Sequence, residues 1–234
     1  MQHNNAIGMF MGLFIGDALG ATLEFTEPNT GNPLKDMVGG GVHETSPGEW
    51  TDDGAMAVAI ADAYIGSKRF DPEAIAMNFK MWKKTGHFGT RDYVFDIGRT
   101  VSTAISTMST EQPYQGSTST RSSGNGSIMR LAPIVLANHA NVHLAVAESV
   151  AVSLMTHGNA EIVQYTAAFV AEIMEGTQLD EFDWARRFSI RKGRETKGTI
   201  MHAYNMAWHC VNTTYSFEDA LVMAVNKGDD ADTV

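Results

Sequence analysis

The sequence contains a single cysteine, Cys210, so it closes no intramolecular disulfide and builds no thiolate metal cluster. That scarcity suits a reducing compartment, and the cytoplasm is the expected location. Basic residues are in the minority: 17 Lys and Arg face 27 Asp and Glu, for a formal net charge of −10. Such a balance leaves no electropositive footprint for a phosphate backbone, and nucleic acid is not an expected partner. No apolar run is both long and unbroken. The best, Ala6 to Ala21, is interrupted by Gly8, Gly12, Gly16, Asp17 and Gly20 and has no basic region before it. It reads as neither signal peptide nor membrane span, and no membrane association is expected. A Walker loop is missing, as is a Gly-x-Gly-x-x-Gly between a strand and a helix, so neither a P-loop nucleotidase nor a Rossmann dehydrogenase is supported. Runs alternating with period two are nearly absent, which disfavours a β-rich architecture.

What is present points to helices. With 234 residues, 44% of them apolar, the chain can bury a sizeable core, and residues 1–234 are expected to form one domain. Asp71-Pro72-Glu73 supplies an N-cap, a proline at the first helical position and an acid in the first turn. Ile75, Phe79 and Trp82 follow before Gly86, which predicts one helix of about four turns. Ser216-Phe217-Glu218-Asp219 resembles a capping box with Asp in place of Glu, and Gly228 stands where a C-terminal glycine belongs. Similar spacing predicts helices near 5–22, 53–66, 95–109, 127–138, 142–156, 159–175 and 198–214. The expected fold class is all-α, a bundle of eight or more helices with 22 glycines letting its loops approach a ligand.

Chemistry concentrates in two acidic clusters. Trp50-Thr51-Asp52-Asp53-Gly54 sets two carboxylates and a hydroxyl at a predicted helix start, where capping and the helix dipole alone would also explain acids. Asp229-Asp230-Ala231-Asp232-Thr233 packs three acids and a hydroxyl into five residues, and a solvated acidic end is its plainer reading. Should Asp52, Asp53, Asp230 and Asp232 converge, an oxygen-only donor set would select a hard cation over zinc. Gly124-Asn125-Gly126-Ser127 precedes a predicted apolar helix, whose N–H groups could receive a phosphate; the same residues make good turns. The Ser-, Thr- and Gly-rich segment 111–126 could otherwise be flexible surface, and the basic residues Arg186, Arg187, Arg191, Lys192, Arg194 and Lys197 read as a solvated face or a dock for an acidic protein.

Taken in order, Gly16-Asp17-Ala18-Leu19-Gly20 with Glu24, Trp50-Thr51-Asp52-Asp53, Gly124-Asn125-Gly126 with Met129-Arg130, Thr156-His157 and Asp230-Ala231-Asp232-Thr233 resemble the ADP-ribosylglycohydrolase family. The resemblance is greatest to its bacterial branch, the dinitrogenase reductase-activating glycohydrolases. It implies a compact orthogonal multi-helix bundle with a binuclear Mg²⁺ or Mn²⁺ centre at the base of a cleft that takes ADP-ribose or an ADP-ribosylated protein. By the same resemblance, Thr51, Asp52, Asp53, Asp230, Asp232 and Thr233 are metal ligands. Asp96 is the acid/base candidate, Glu24 closes over the metals, and Asp53 is shared between metal binding and catalysis. Asn125, Gly126, Ser127, Met129 and His157 are the substrate-binding residues. The implied reaction is hydrolysis of the bond between ADP-ribose and a modified side chain, arginine first among the candidates; a catalytically weak ADP-ribose-binding module is the alternative.

Two positions depart from the family pattern without removing a ligand: Gly54 replaces the usual Thr, and Arg99 replaces an Asn of the bacterial branch. Lys197 to Tyr204 differs from the family's Tyr- and Asp-containing version at the cleft mouth. The sequence ends at Val234, where relatives continue into a further helix. On the bare residues, Asp17 is expected to be a buried, hydrogen-bonded structural acid. His157 is either a satisfied histidine at a helix end or a ligand contact.

Overall fold

Side-chain capping fixes five of the helix starts. In the computed structural model, which describes residues 3–176 and 197–234, nine helices occur among the described residues. They are α1 (His3–Gly20), α2 (Asp52–Ser67), α3 (Pro72–Thr85), α4 (Arg99–Thr107), α5 (Ala132–Ala137), α6 (Val142–Leu154), α7 (Ala160–Glu175), α8 (Ile200–Thr213) and α9 (Phe217–Val225). The Asp71 side chain accepts from the Ala74 N–H and Gly86 ends α3 in the left-handed region, as its sequence predicts. Asn141, Asn159, Thr199 and Ser216 cap α6, α7, α8 and α9 in the same way. Among the described residues β-pairing is confined to isolated bridges, Gly40 with Thr45, Ser117 with His157 and Gly124 with Thr199.

The core forms around α2, whose alanines let neighbours approach closely. Met56 and Ile60 on α2 meet Ile75, Phe79 and Trp82 of α3, and the cluster extends through Ile134, Val152, Ile162 and Ile200. Burying a side chain such as Phe79 contributes on the order of 1.5–3 kcal/mol. α6 packs along α7, and α5 touches α1, α2 and α6. No helix among the described residues is long and apolar enough to cross a membrane.

Two predicted helices begin later than their apolar spacing suggests. The helix expected from 127 starts at Ala132, because Pro133 fits a first turn but not a helix interior; residues 126–130 form turns instead. A helix N-terminus therefore does not follow Ser127. The helix expected from 95 starts at Arg99 with Gly98 as N-cap, leaving Phe95 to Gly98 irregular. The 111–126 segment is pinned to the fold: Gly116 N–H donates to Leu154 O, Gly158 N–H to Ser117 O, and Asn159 Nδ2 to Ser122 O. Of the basic run, Arg186, Arg187, Arg191, Lys192 and Arg194 lie outside the described residues.

Candidate functional site

The two acidic clusters meet. Asp17, fully buried in α1, accepts from the Thr51 N–H at 2.8 Å and the Gly54 N–H at 2.8 Å, which orients the first turn of α2. Asp17 is thus the structural acid that its glycine-rich surroundings suggest, and burial pushes its carboxyl up to about 7. Gly54 has no room for a side chain, since a β-carbon would come 2.6 Å from the Trp50 ring. The segment after α9 turns through Gly228 and Asp229, both left-handed, and lies against the end of α1. At Gly20 a β-carbon would stand 2.3 Å from the Ala231 carbonyl oxygen, so this approach requires glycine. Thr51 Oγ1 then donates to Asp232 Oδ2 at 3.1 Å, and Asn125 Nδ2 donates to Asp230 Oδ2 at 3.0 Å.

These residues wall a polar cleft of about 290 Å³. Glu24, Asp52, Asp53, Asp96, Asn125, Gly126, Met129, His157, Asp230, Asp232 and Thr233 all line it, whereas Thr51 and Ser127 are buried and do not. Thr233 also approaches Met129 Sδ at 3.9 Å. Asp53, Met129, Asp232 and Thr233 separate this cleft from an apolar cavity of about 240 Å³.

Burial first, and the neighbouring carboxylates second, raise the acids of the cleft. Glu24 is pushed up to about 9, and Asp52, Asp53 and Asp232 are driven well above the carboxylate range. Asp96 is raised less simply: burial lifts it while His43 opposes. Asp52 is raised further by the charge of Asp96, which lines the same cleft.

His43 is the residue that sequence reasoning missed. Its Nε2 lies 2.9 Å from Glu24 Oε2 and 3.5 Å from Asp96 Oδ2. Glu24, His43 and Asp96 are, among the described residues, the one trio of His, Cys, Asp or Glu ligand atoms within 4.8 Å of one another. The expected aspartate ligands share the cleft without closing to that degree. Gly39, Gly40 and Gly41 are all left-handed, and a β-carbon on Gly41 would stand 2.6 Å from Ala21 O, so the turn carrying His43 can lie against the end of α1. Arg91 clamps that turn. It forks onto Glu49 at 2.8 and 3.1 Å, donates to the His43 and Glu44 carbonyls, and stacks 4.1 Å over Phe95, beside Asp96. The triple glycine was the available signal; nothing in the sequence linked it to Asp96.

A model of the ADP-ribosylglycohydrolase family matches residues 1–234. The chain belongs to the ADP-ribosylglycohydrolase family. It is 32% identical over 251 residues to the ADP-ribosylarginine hydrolase Tri1 of Pseudomonas putida, covering 99% of this chain and 67% of the relative. Identity to the ADP-ribosyl-[dinitrogen reductase] glycohydrolase of Rhodospirillum rubrum is 27% over 254 residues, covering 99% of this chain and 82% of that protein. Among solved structures, an ADP-ribosylglycohydrolase-related protein complex superimposes with a TM-score of 0.78 at 27% identity, over 97% of this chain and 82% of the other. The all-α architecture and glycohydrolase membership expected from the motifs are thereby established. The family is metal-dependent, and Glu24, His43 and Asp96 form a candidate metal-binding group.

Proposed function

We propose that this family member is a divalent-metal-dependent hydrolase that cleaves the N-glycosidic bond between ADP-ribose and an arginine side chain, reversing mono-ADP-ribosylation. The observation that carries the reading is the meeting of Asp52 and Asp53 with Asp230, Asp232 and Thr233 at one cleft, with Thr51 bonded to Asp232 behind it. The named activity of the Tri1 relatives supports arginine as the linkage. Buried, mutually repelling carboxylates fit a cation, and donors that are all oxygen fit a hard one, Mg²⁺ or Mn²⁺. Thr51, Asp52, Asp53, Asp230, Asp232 and Thr233 would hold two such ions. When bound, the ions would supply an activated water and polarise the ribose.

The chain's own residues supply proton handling and position. Asp96 delivers a proton to the departing guanidino nitrogen as the bond from ribose C1 breaks, water furnishes the hydroxyl that ends on that carbon, and the water's remaining proton restores Asp96. The Asp52 neighbour and the His43 contact keep Asp96 in place for this task. Glu24, whose Oε2 lies 2.9 Å from His43 Nε2, borders the reacting centre and shields it. Asn125, Gly126, Met129 and His157 form the ADP-ribose side of the site, with Ser127 buried behind them. We take residues 1–234 as one glycohydrolase domain acting on ADP-ribosylated protein in the cytoplasm. Free ADP-ribose should be released from an ADP-ribosylated arginine substrate with Mg²⁺ or Mn²⁺ and not with EDTA. Binding of ADP-ribose without release would instead identify a binding module, and equal release in EDTA would refute the metal dependence.

A further inference from the structure

A second polar chain is buried beside the cleft, and the proton and metal chemistry proposed above makes no use of most of it. Arg130 is fully buried and forms no ion pair with a carboxylate among the described residues. Its Nη2 donates to Thr156 Oγ1 at 2.6 Å and to Val152 O at 3.4 Å, its Nη1 to Met56 Sδ at 3.2 Å, and the guanidinium lies 4.9 Å over the Phe79 ring. Thr156 Oγ1 is 2.9 Å from His157 Nδ1. Thr156 is 0% exposed, so water cannot rescue its hydroxyl proton if that is left unmatched, whereas His157 reaches the wall of the cleft.

Donor and acceptor bookkeeping leaves one consistent arrangement. A guanidinium only donates, so Thr156 Oγ1 accepts from Arg130 and must place its single proton elsewhere. The acceptor within reach is His157 Nδ1, which is therefore a bare lone pair, and a neutral ring then carries its proton on Nε2. The opposite tautomer would bury the Thr156 hydroxyl proton unpaired. A doubly protonated ring is opposed by burial and then by Arg130, which together hold His157 down to about 3. The Nε2 edge faces Gly124 and Gly126, where added β-carbons would stand 3.7 and 3.8 Å away, on the wall of the polar cleft.

We propose that Arg130 and Thr156 are positioning residues that lock His157 in its neutral, Nε2-protonated form, so that the cleft presents a fixed N–H donor to an acceptor oxygen of bound ADP-ribose. The lock follows from the geometry alone; the ADP-ribose oxygen rests on the hydrolase reading. Such a donor keeps its proton through the range where ordinary histidines change charge, and it adds no further formal charge to a cleft already crowded with carboxylates.

The test is ¹⁵N NMR of the imidazole nitrogens in the full chain, with His157 assigned by its loss in His157→Gln. Nδ1 should be unprotonated and Nε2 protonated from about pH 5 to 8, with no titration. Thr156→Ser should preserve this pattern, and Thr156→Val should admit both tautomers. A protonated Nδ1 in the wild type, or titration near the ordinary value of about 6.5, would overturn the lock, as would an unchanged pattern in Thr156→Val. If Thr156→Val does not fold, the wild-type and Thr156→Ser spectra still decide. Calorimetric titration with ADP-ribose should show about tenfold weaker binding for Thr156→Val and His157→Gln and near-normal binding for Thr156→Ser. Unchanged affinity in the first two overturns the ligand contact. Failure of the wild type to bind ADP-ribose would count against the hydrolase reading, while the ring-nitrogen result judges the lock separately.

Discussion

The two halves of the carboxylate site are built differently. Asp52 and Asp53 sit in the first turn of α2, a helix that is buried for most of its length and whose entry is fixed by Asp17. Asp230 and Asp232 have no helix of their own. Their loop is held by exchange of backbone hydrogen bonds, Phe25 N–H to Asp229 O and Asp229 N–H to Thr26 O, and by side chains reaching across from Thr51 and Asn125. One half is the start of a buried helix anchored by Asp17, whereas the other is a loop that takes its shape from contact with the first. Ligand geometry in the second half should therefore be the easier to disturb.

Removing a carboxylate from either half tests the equivalence of their chemistry. Asp52→Ala and Asp232→Ala should each reduce metal-dependent ADP-ribose release by on the order of 10³-fold or more, with circular dichroism showing helical content unchanged. Equal activity in either variant would remove that residue from the site. Asp17→Ala attacks the scaffold of the first half. It strips the acceptor from the buried Thr51 and Gly54 N–H groups and should cost about 3 kcal/mol in denaturant unfolding, while Asp17→Asn, which keeps an acceptor oxygen, should cost less. Asn125→Ala loosens only the second half and should weaken Mn²⁺ binding about tenfold with little change in stability, as calorimetry and thermal melts would show.

The gentlest probe is pH. Glu24 has an ordinary value of 4.5 and a folded value of about 9, so the folded protein binds this proton more tightly than the unfolded chain does. Its stabilisation is full below pH 4.5 and is lost as pH rises towards 9; Asp17 adds the same trend between 3.8 and about 7. The melting temperature of the metal-free protein should fall across that range, and Mn²⁺ should oppose the fall. A melting temperature that rises with pH in the metal-free protein would contradict the burial of these acids.

The same contrast explains what could be read from the chain. Asp71, Pro72 and Gly86 bound α3, and Ser216 caps α9, because capping is decided within a few residues. Asp17 was legible as a structural acid because a charge among small apolar neighbours needs a partner. The acidic motifs and their meeting were legible only through family resemblance; the bare residues do not show the meeting, which depends on packing of α1 against residues 230–232. His43 escaped for that reason: its role comes from Glu24 and Asp96, distant in sequence and joined by the Arg91 clamp. The late starts of α4 and α5 came from Gly98 and Pro133, whose backbone constraints outweigh the apolar spacing around them.

The contact between Thr51 and Asp232 spans 181 residues, and this gives the site a schedule as well as a shape. Closing so long a loop is a late event compared with pairing α2 to α3. At ordinary elongation speeds, roughly 10 to 40 s separate the synthesis of the two residues. During that interval a nascent chain can hold its first acidic turn in place, yet it has nothing with which to complete the cleft. Hydrolytic competence should therefore come late, once Asp230 and Asp232 are made and can meet the start of α2, and collapse of the helical core alone should not confer it.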